Sequence, residues 1–134
     1  VTDNSTDKPL ILIVEDSATE AHVYKTTLTG AGFRTLAVGD GVHAVQTALK
    51  YAPDLILMDV VMPQMNGFKA TRDLSRNPAT AHIPVIMISS KDGESDRAWG
   101  MRQGARDYLT KPVSSSILLR TVRQQLSVSA GGVL

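Results

Sequence analysis

Three carboxylates, one hydroxyl and one ammonium stand at the ends of four short apolar runs in this chain. Residues 10–14 (LILIV) run into Glu15 and Asp16, and residues 55–58 (LILM) run into Asp59. Residues 85–88 (VIMI) end at Ser89 and Ser90, and Tyr108 and Leu109 lead through Thr110 to Lys111 and Pro112. If the runs are parallel strands of one open sheet, these polar groups all emerge at the edge where ligands bind in such sheets. Taken singly they mean little. A lone aspartate at a strand end is usually a turn or cap residue, and acids just ahead of Ser17 suit a helix start through its dipole. Lys111 alone would be a solvated surface lysine. The coincidence of four strand ends is what turns them into a site.

Carboxylates crowded into one crevice repel one another, so a counter-charge must hold them ionised. A hard divalent cation does this, and Mg²⁺ favours a few carboxylates plus waters and phosphate oxygens. With Lys111 opposite, the neutralised cluster admits an anionic phosphoryl donor. Asp59 is then a candidate nucleophile, because carboxylates form acyl-phosphate intermediates. The cation and Lys111 would stabilise charge spread over the transferring oxygens, with Ser89 as a hydrogen-bond donor.

The elements that must position these groups are legible in the pattern. Apolar runs without polar alternation predict strands buried on both faces, as in parallel sheets covered by helices. Ser17 to Glu20 (SATE) matches a capping box, in which Ser17 bonds the amide three residues on and Glu20 reaches back. That helix should run to about Gly30, where Gly30 and Gly32 stop it. Residues 34–38 form a second, weaker strand, and Asp40 caps a helix that ends near Tyr51, before Pro53. Pro63 and Asn66-Gly67 punctuate a loop after Asp59, and helices follow at 68–76 and 94–102. A last helix at 114–126 carries Ile117, Leu118, Thr121, Val122 and Gln125 along one stripe.

Five β-α repeats imply an α/β fold: a single doubly wound, flavodoxin-like (βα)5 domain with right-handed crossovers and helices on both faces. The expected strand order is 2-1-3-4-5, with the switch point between strands one and three, which Glu15-Asp16 and Asp59 end. The domain should span residues 9–126, between a flexible N-terminal segment (1–8) and a flexible tail (127–134).

Composition agrees and narrows the field. The 134 residues suffice for one core. They are 43% hydrophobic and 20% charged, as in a soluble globular domain. Fourteen Lys and Arg offset 13 Asp and Glu without a basic run, which gives no support for nucleic-acid binding. No apolar stretch has membrane-spanning length, and residues 1–8 lack the apolar segment of a signal peptide. With no cysteine, disulfides and thiolate metal sites are excluded, and a cytoplasmic location is expected. The chain begins at Val1 rather than Met, as in a protein processed, trimmed or cut from something longer.

Several blocks resemble those of a response-regulator receiver domain, the CheY-like fold: residues 14–17 (VEDS), 57–67 (LMDVVMPQMNG), 84–90 (PVIMISS) and 104–112 (GARDYLTKP). The resemblance covers about Pro9 to Leu126, and residues 90–108 are most similar to single-domain receivers of the twitching-motility or pilus chemotaxis type. It implies that Asp59 is the phosphoacceptor and that Asp16 ligates Mg²⁺ directly. Glu15 would ligate it directly or through water, and the main-chain carbonyl of Val61 would complete the protein ligands. Lys111 would pair with the phosphoryl group and precede a cis peptide at Pro112. Ser89 would be the switch hydroxyl and Tyr108 the aromatic whose rotamer follows it. Phosphorylation would pull Ser89 inward, free space for Tyr108 to turn in, and remodel the face of the fourth helix, fifth strand and fifth helix. A histidine kinase or histidine phosphotransfer protein would be the donor, and a downstream protein the target.

Two departures stand out. Glu15 replaces the usual Asp, and apolar Val61 with Lys91 flanks the path of the hydrolytic water, which should slow autodephosphorylation. Val61 also bears on the enzyme alternative. Haloacid-dehalogenase-like phosphatases use an Asp nucleophile and Mg²⁺ but place a second acid where Val61 stands, so no turnover enzyme is expected. A nucleotide or flavin binder would need a Gly-rich or hydroxyl-rich loop after the first strand, where this chain is acidic. A receiver excised from a larger regulator is the remaining alternative. His22, His43 and His82 lack metal-site spacing and read as solvated or capping residues. Met62 and Met65 read as gap-filling loop hydrophobes, and Trp99 as a fourth-helix residue that either packs or meets a partner.

Overall fold

The computed structural model describes residues 7–62 and 65–131. Five strands alternate with five helices: β1 (Leu10–Val14), α1 (Ala18–Gly30), β2 (Arg34–Val38), α2 (Gly41–Tyr51), β3 (Leu55–Asp59), α3 (Gly67–Arg76), β4 (Val85–Ser89), α4 (Glu94–Arg102), β5 (Asp107–Thr110) and α5 (Ser115–Gly131). All pairings are parallel, in the order β2-β1-β3-β4-β5. This is the flavodoxin-like arrangement.

Alternation along each strand divides the core in two. Leu12, Val14, Ile56, Met58, Val85, Met87 and Tyr108 pack with Ala44 and Ala48 of α2 and with Ala70 and Leu74 of α3. On the other face Ile11, Ile13, Leu55, Leu57, Ile86 and Ile88 meet Tyr24 and Leu28 of α1 and Leu118 and Val122 of α5. Both faces are covered, which is why the central strands show no polar alternation. Each fully buried Leu or Ile contributes about 1.5–3 kcal/mol.

Helix starts follow local capping chemistry, in which a side-chain oxygen takes up an otherwise unpaired amide of the first turn. Ser17 Oγ accepts from the Glu20 amide at 3.3 Å, and Asp40 accepts from the His43 amide at 2.8 Å. Asn66, read from sequence as turn punctuation, is the N-cap of α3 and accepts from the Lys69 amide at 3.0 Å. Gly67 is therefore helical. A Cβ there would collide with the Asp59 carbonyl oxygen, so only glycine lets this helix start against the end of β3.

Two expectations need correction. The capping box is half formed: Glu20 does not reach back, because the Ser17 amide donates to Glu15 Oε2 instead, at 3.1 Å. The last helix also runs past Leu126 to Gly131, so residues 127–131 are helical rather than loose. Its apolar stripe ends near Leu126, but Ser127 to Ala130 contain no helix breaker before the glycine pair. Pro63, residues 1–6 and residues 132–134, on which other expectations fell, lie outside the described residues.

Candidate functional site

Strand register brings the predicted groups to one edge. Val14 pairs with Met58, so Glu15 and Asp59 follow side by side. Asp59 pairs with Ile88 and Ser89 with Thr110, which sets Ser89 and Lys111 one step further along the same rim. The Lys111 amide donates to the Ser89 carbonyl at 2.9 Å, and the Lys111–Pro112 peptide is cis.

Ligating oxygens of Glu15, Asp16 and Asp59 all lie within 4.8 Å of one another; Glu15 and Asp59 are buried and Asp16 is exposed. Lys111 bridges the cluster. Its Nζ is 3.0 Å from Glu15 Oε1, 3.3 Å from Asp59 Oδ1 and 2.9 Å from Glu20 Oε1. The Val60 amide adds a 2.9 Å bond to Asp59 Oδ1.

Burial dominates the electrostatics, because it disfavours the charged form of a carboxyl. It pushes the Glu15 carboxyl up to about 7, against the pull of Lys111 and the Ser17 amide, while the Asp59 charge adds to the rise. Burial likewise raises Asp59, with Lys111 as the main opposing influence. Burial alone would lower the Lys111 ammonium, but its bonds to Glu20 and Glu15 outweigh this and raise it. One ammonium thus faces more carboxylate charge than it can balance. An all-oxygen donor set with excess negative charge fits a hard divalent cation, and Mg²⁺ among those. Val61, whose carbonyl was expected to join the ligands, follows Val60 out of the strand, and its side chain is exposed.

Ser89 is fully buried, and its Oγ accepts from the Lys91 amide at 3.0 Å. Tyr108 is only 2% exposed, and its hydroxyl donates to the Lys91 carbonyl at 2.6 Å. Both side chains lie inside the fold. Gly100 of α4 leaves the room, since a Cβ there would sit 2.8 Å from Met87 Sδ and 3.1 Å from the Tyr108 ring.

Two contributors escaped the sequence reading. Glu20 binds Lys111 rather than its own helix end, and Gly67 lets α3 approach Asp59. SATE and NG carried visible signals, but for a cap and a turn. The three histidines are exposed, as expected of solvated or capping residues, and the His43 ring bonds Asp40 at 2.7 Å. Trp99 is 47% exposed on α4, with the Arg102 guanidinium 5.9 Å from its ring centroid.

Comparison with known proteins agrees with this geometry. A family model described as "Response regulator receiver domain" matches residues 11–123. Protein PilH of Pseudomonas aeruginosa is 48% identical over 117 residues, which cover 87% of this chain and 97% of PilH. Response regulator PleD of Caulobacter vibrioides is 40% identical over 113 residues, 84% of this chain but 25% of PleD. A receiver domain of a sensor histidine kinase from Pseudomonas aeruginosa, crystallised with a magnesium ion coordinated in its active site cleft, superposes with a TM-score of 0.84. It is 31% identical, and the match covers 90% of this chain and 98% of that one.

Proposed function

The chain belongs to the response-regulator receiver family, and on that premise we propose that Asp59 accepts a phosphoryl group from a histidine kinase or histidine phosphotransfer protein. The observation that carries this is the convergence of Glu15, Asp16, Asp59 and Lys111 at one sheet edge. An Asp59 carboxylate oxygen attacks the phosphorus of a phosphohistidine in line. The P–N bond breaks, and the imidazole leaves and takes up a proton. Lys111 balances charge on the transferring oxygens, and Ser89 donates to the phosphoryl group once it is in place.

Glu15, Asp16, Asp59 and the Val61 carbonyl are the residues that hold Mg²⁺ in this reading. Bound there, the cation supplies Lewis-acid stabilisation of the phosphoryl oxygens. This chain's residues do the rest: they bury Asp59, orient Lys111 and keep Ser89 at the rim. Catalysis is confined to the protein's own phosphorylation and dephosphorylation. Val61 offers no carboxylate where a haloacid-dehalogenase-like phosphatase has its acid, so turnover of a free phosphate ester is disfavoured.

Phosphorylation shifts the population toward the arrangement in which Ser89, Lys91 and Tyr108 are bonded together, and the face of α4, β5 and α5 carries the signal to a target protein. No helix among the described residues is long and apolar enough to cross a membrane. We place the protein in the cytoplasm, where a kinase's phosphohistidine would meet it.

Incubation with Mg²⁺ and acetyl phosphate, followed by intact mass, tests the reading. Wild type should gain one phosphoryl group and Asp59→Asn none. Labelling of both, or of neither, rejects it.

A further inference from the structure

Helices α3 and α4 are pinned together at their C-terminal ends. Ser75 Oγ donates to the Gln103 carbonyl at 2.9 Å, and Gly104 passes so close that a Cβ on it would lie 2.6 Å from Ser75 Cβ. Beside that junction the two helices leave a groove of about 200 Å³, lined by Asn66, Phe68, Lys69, Arg72, Trp99 and Gln103. It lies apart from the face of α4, β5 and α5.

Two features of this groove ask for a ligand. Gln103 is only 7% exposed, and its main-chain groups are taken: the amide donates to the Trp99 and Gly100 carbonyls, and the carbonyl accepts from Ser75. Its side-chain carboxamide lines the groove and has no hydrogen-bond partner among the described residues. Burying such a group without a partner is unfavourable. Charge is the second feature. Arg72 is partly buried and meets no carboxylate at ion-pair distance among the described residues, while Lys69 meets Asp73 at 3.4 Å in an exposed pair. The Arg102 guanidinium, over the Trp99 ring, adds a third cation beside the groove. No acid lines it, in a chain whose net charge is only +1.

The chemistry of the lining selects the occupant. A carboxamide donates and accepts at once, as a peptide group does, so Gln103 matches a main chain. Trp99 and Phe68 offer apolar surface to one side chain, and Arg72 and Lys69 offer charge to flanking carboxylates. The volume falls below the roughly 300–1,000 Å³ of pockets that enclose whole small molecules, so the groove suits part of a larger partner. We propose that the α3–α4 groove binds an acidic peptide segment of a partner protein, with an apolar side chain against Trp99, carboxylates on Arg72 and Lys69, and the main chain on Gln103.

The test uses the full chain and two synthetic hexapeptides, acetyl-EELFEE-amide and its charge-reversed counterpart acetyl-KKLFKK-amide. Trp99 is the only tryptophan of the chain and neither peptide contains one, so indole emission reports on the groove directly. The acidic peptide should shift that emission saturably and the basic one should not. No shift up to about 1 mM acidic peptide, or an equal response to both, overturns the proposal. Arg72→Glu should weaken the acidic peptide about fivefold or more with the thermal melt unchanged. Arg72→Gln, which only removes the charge, serves where the reversal disturbs the helix, and should cost about two- to fivefold. Unchanged affinity in a folded Arg72 variant puts the attraction elsewhere, and the proposal fails. Gln103→Met keeps the length of the side chain without its hydrogen bonds and should weaken binding about fivefold. If it does not, the main chain does not meet the carboxamide and the proposal fails there too. Displacement of the acidic peptide by inorganic phosphate at matched ionic strength makes the groove a plain anion site and likewise overturns it.

Discussion

The Tyr108 hydroxyl donates a 2.6 Å hydrogen bond to the Lys91 carbonyl. Lys91 also gives its amide to Ser89 Oγ at 3.0 Å, so a single residue of the loop after β4 is gripped by the hydroxyl at the site and the aromatic beneath α4. The two bonds fall on the peptide groups either side of the Lys91 Cα, so one residue links Ser89 to Tyr108.

Gly100 should control this grip. Alanine there gains about 0.8–1 kcal/mol of helix propensity. It also drives a Cβ against Met87 Sδ at 2.8 Å and the Tyr108 ring at 3.1 Å. Overpacking of this kind costs about 1–3 kcal/mol. The second effect wins. Gly100→Ala is expected to lower stability by roughly 1 kcal/mol and push the Tyr108 ring outward. Denaturant melts and the solvent accessibility of Tyr108, read by fluorotyrosine NMR, check both, and an inward ring in the variant counts against the packing argument.

Asp40 gives a pH dependence with a definite sign. Bonds from the His43 amide and then from the His43 ring hold its carboxyl below the ordinary 3.8. A carboxyl lowered in the folded state adds stability above its unfolded value, and that stability is lost as pH falls through the lowered folded value. Asp40→Asn keeps a good N-cap but no titrating group. Wild type should therefore melt above the variant at neutral pH, with the gap closing as pH drops below 3.8. A gap that stays constant in thermal melts across that range would falsify the assignment.

Legibility in the sequence followed the range of the forces involved. The strands could be read because burial on both faces leaves continuous apolar runs, and the strand ends could be read because parallel topology gathers them. Asp40 and Ser17 were legible as caps, since a cap reaches only three residues. The Glu20 side chain was not, because its competing partner Lys111 lies four strands later and only the fold sets them 2.9 Å apart. Gly67 looked like a turn because nothing in the local pattern tells of the Asp59 carbonyl against it. The inward Tyr108 depends on a missing side chain at Gly100, and a pattern of residues present does not show a space.

Removal of the cation should be visible in stability. A ligand that binds only the folded state adds about 2.7 kcal/mol at a hundredfold excess over its Kd. Wild type should melt higher with Mg²⁺ than with EDTA. Asp16 is exposed, so its own side chain contributes little to the metal-free fold. Asp16→Asn should leave the EDTA melt within about 0.5 kcal/mol of wild type while losing most of the Mg²⁺ increment. An undiminished increment in the variant removes Asp16 from the ligand set.

Val61 bears on how long the phosphoryl group lasts. Its 57%-exposed side chain and Lys91 help to line a cavity of about 290 Å³ beside the end of β3. In the proposed function, a water that reached the acyl phosphate on Asp59 past this wall would find no hydrogen-bonding side chain at Val61. Asparagine there offers both a donor and an acceptor. One hydrogen bond made mainly in the transition state is worth about 1 kcal/mol, or roughly fivefold in rate. Val61→Asn should shorten the phosphoryl half-life by about that factor, while Val61→Ile, equally apolar, should not. Both follow from the decay of labelled protein by intact mass after acetyl phosphate is removed. If the Asn variant decays at the wild-type rate, water does not approach past Val61, and the slow step lies with access to Asp59 itself.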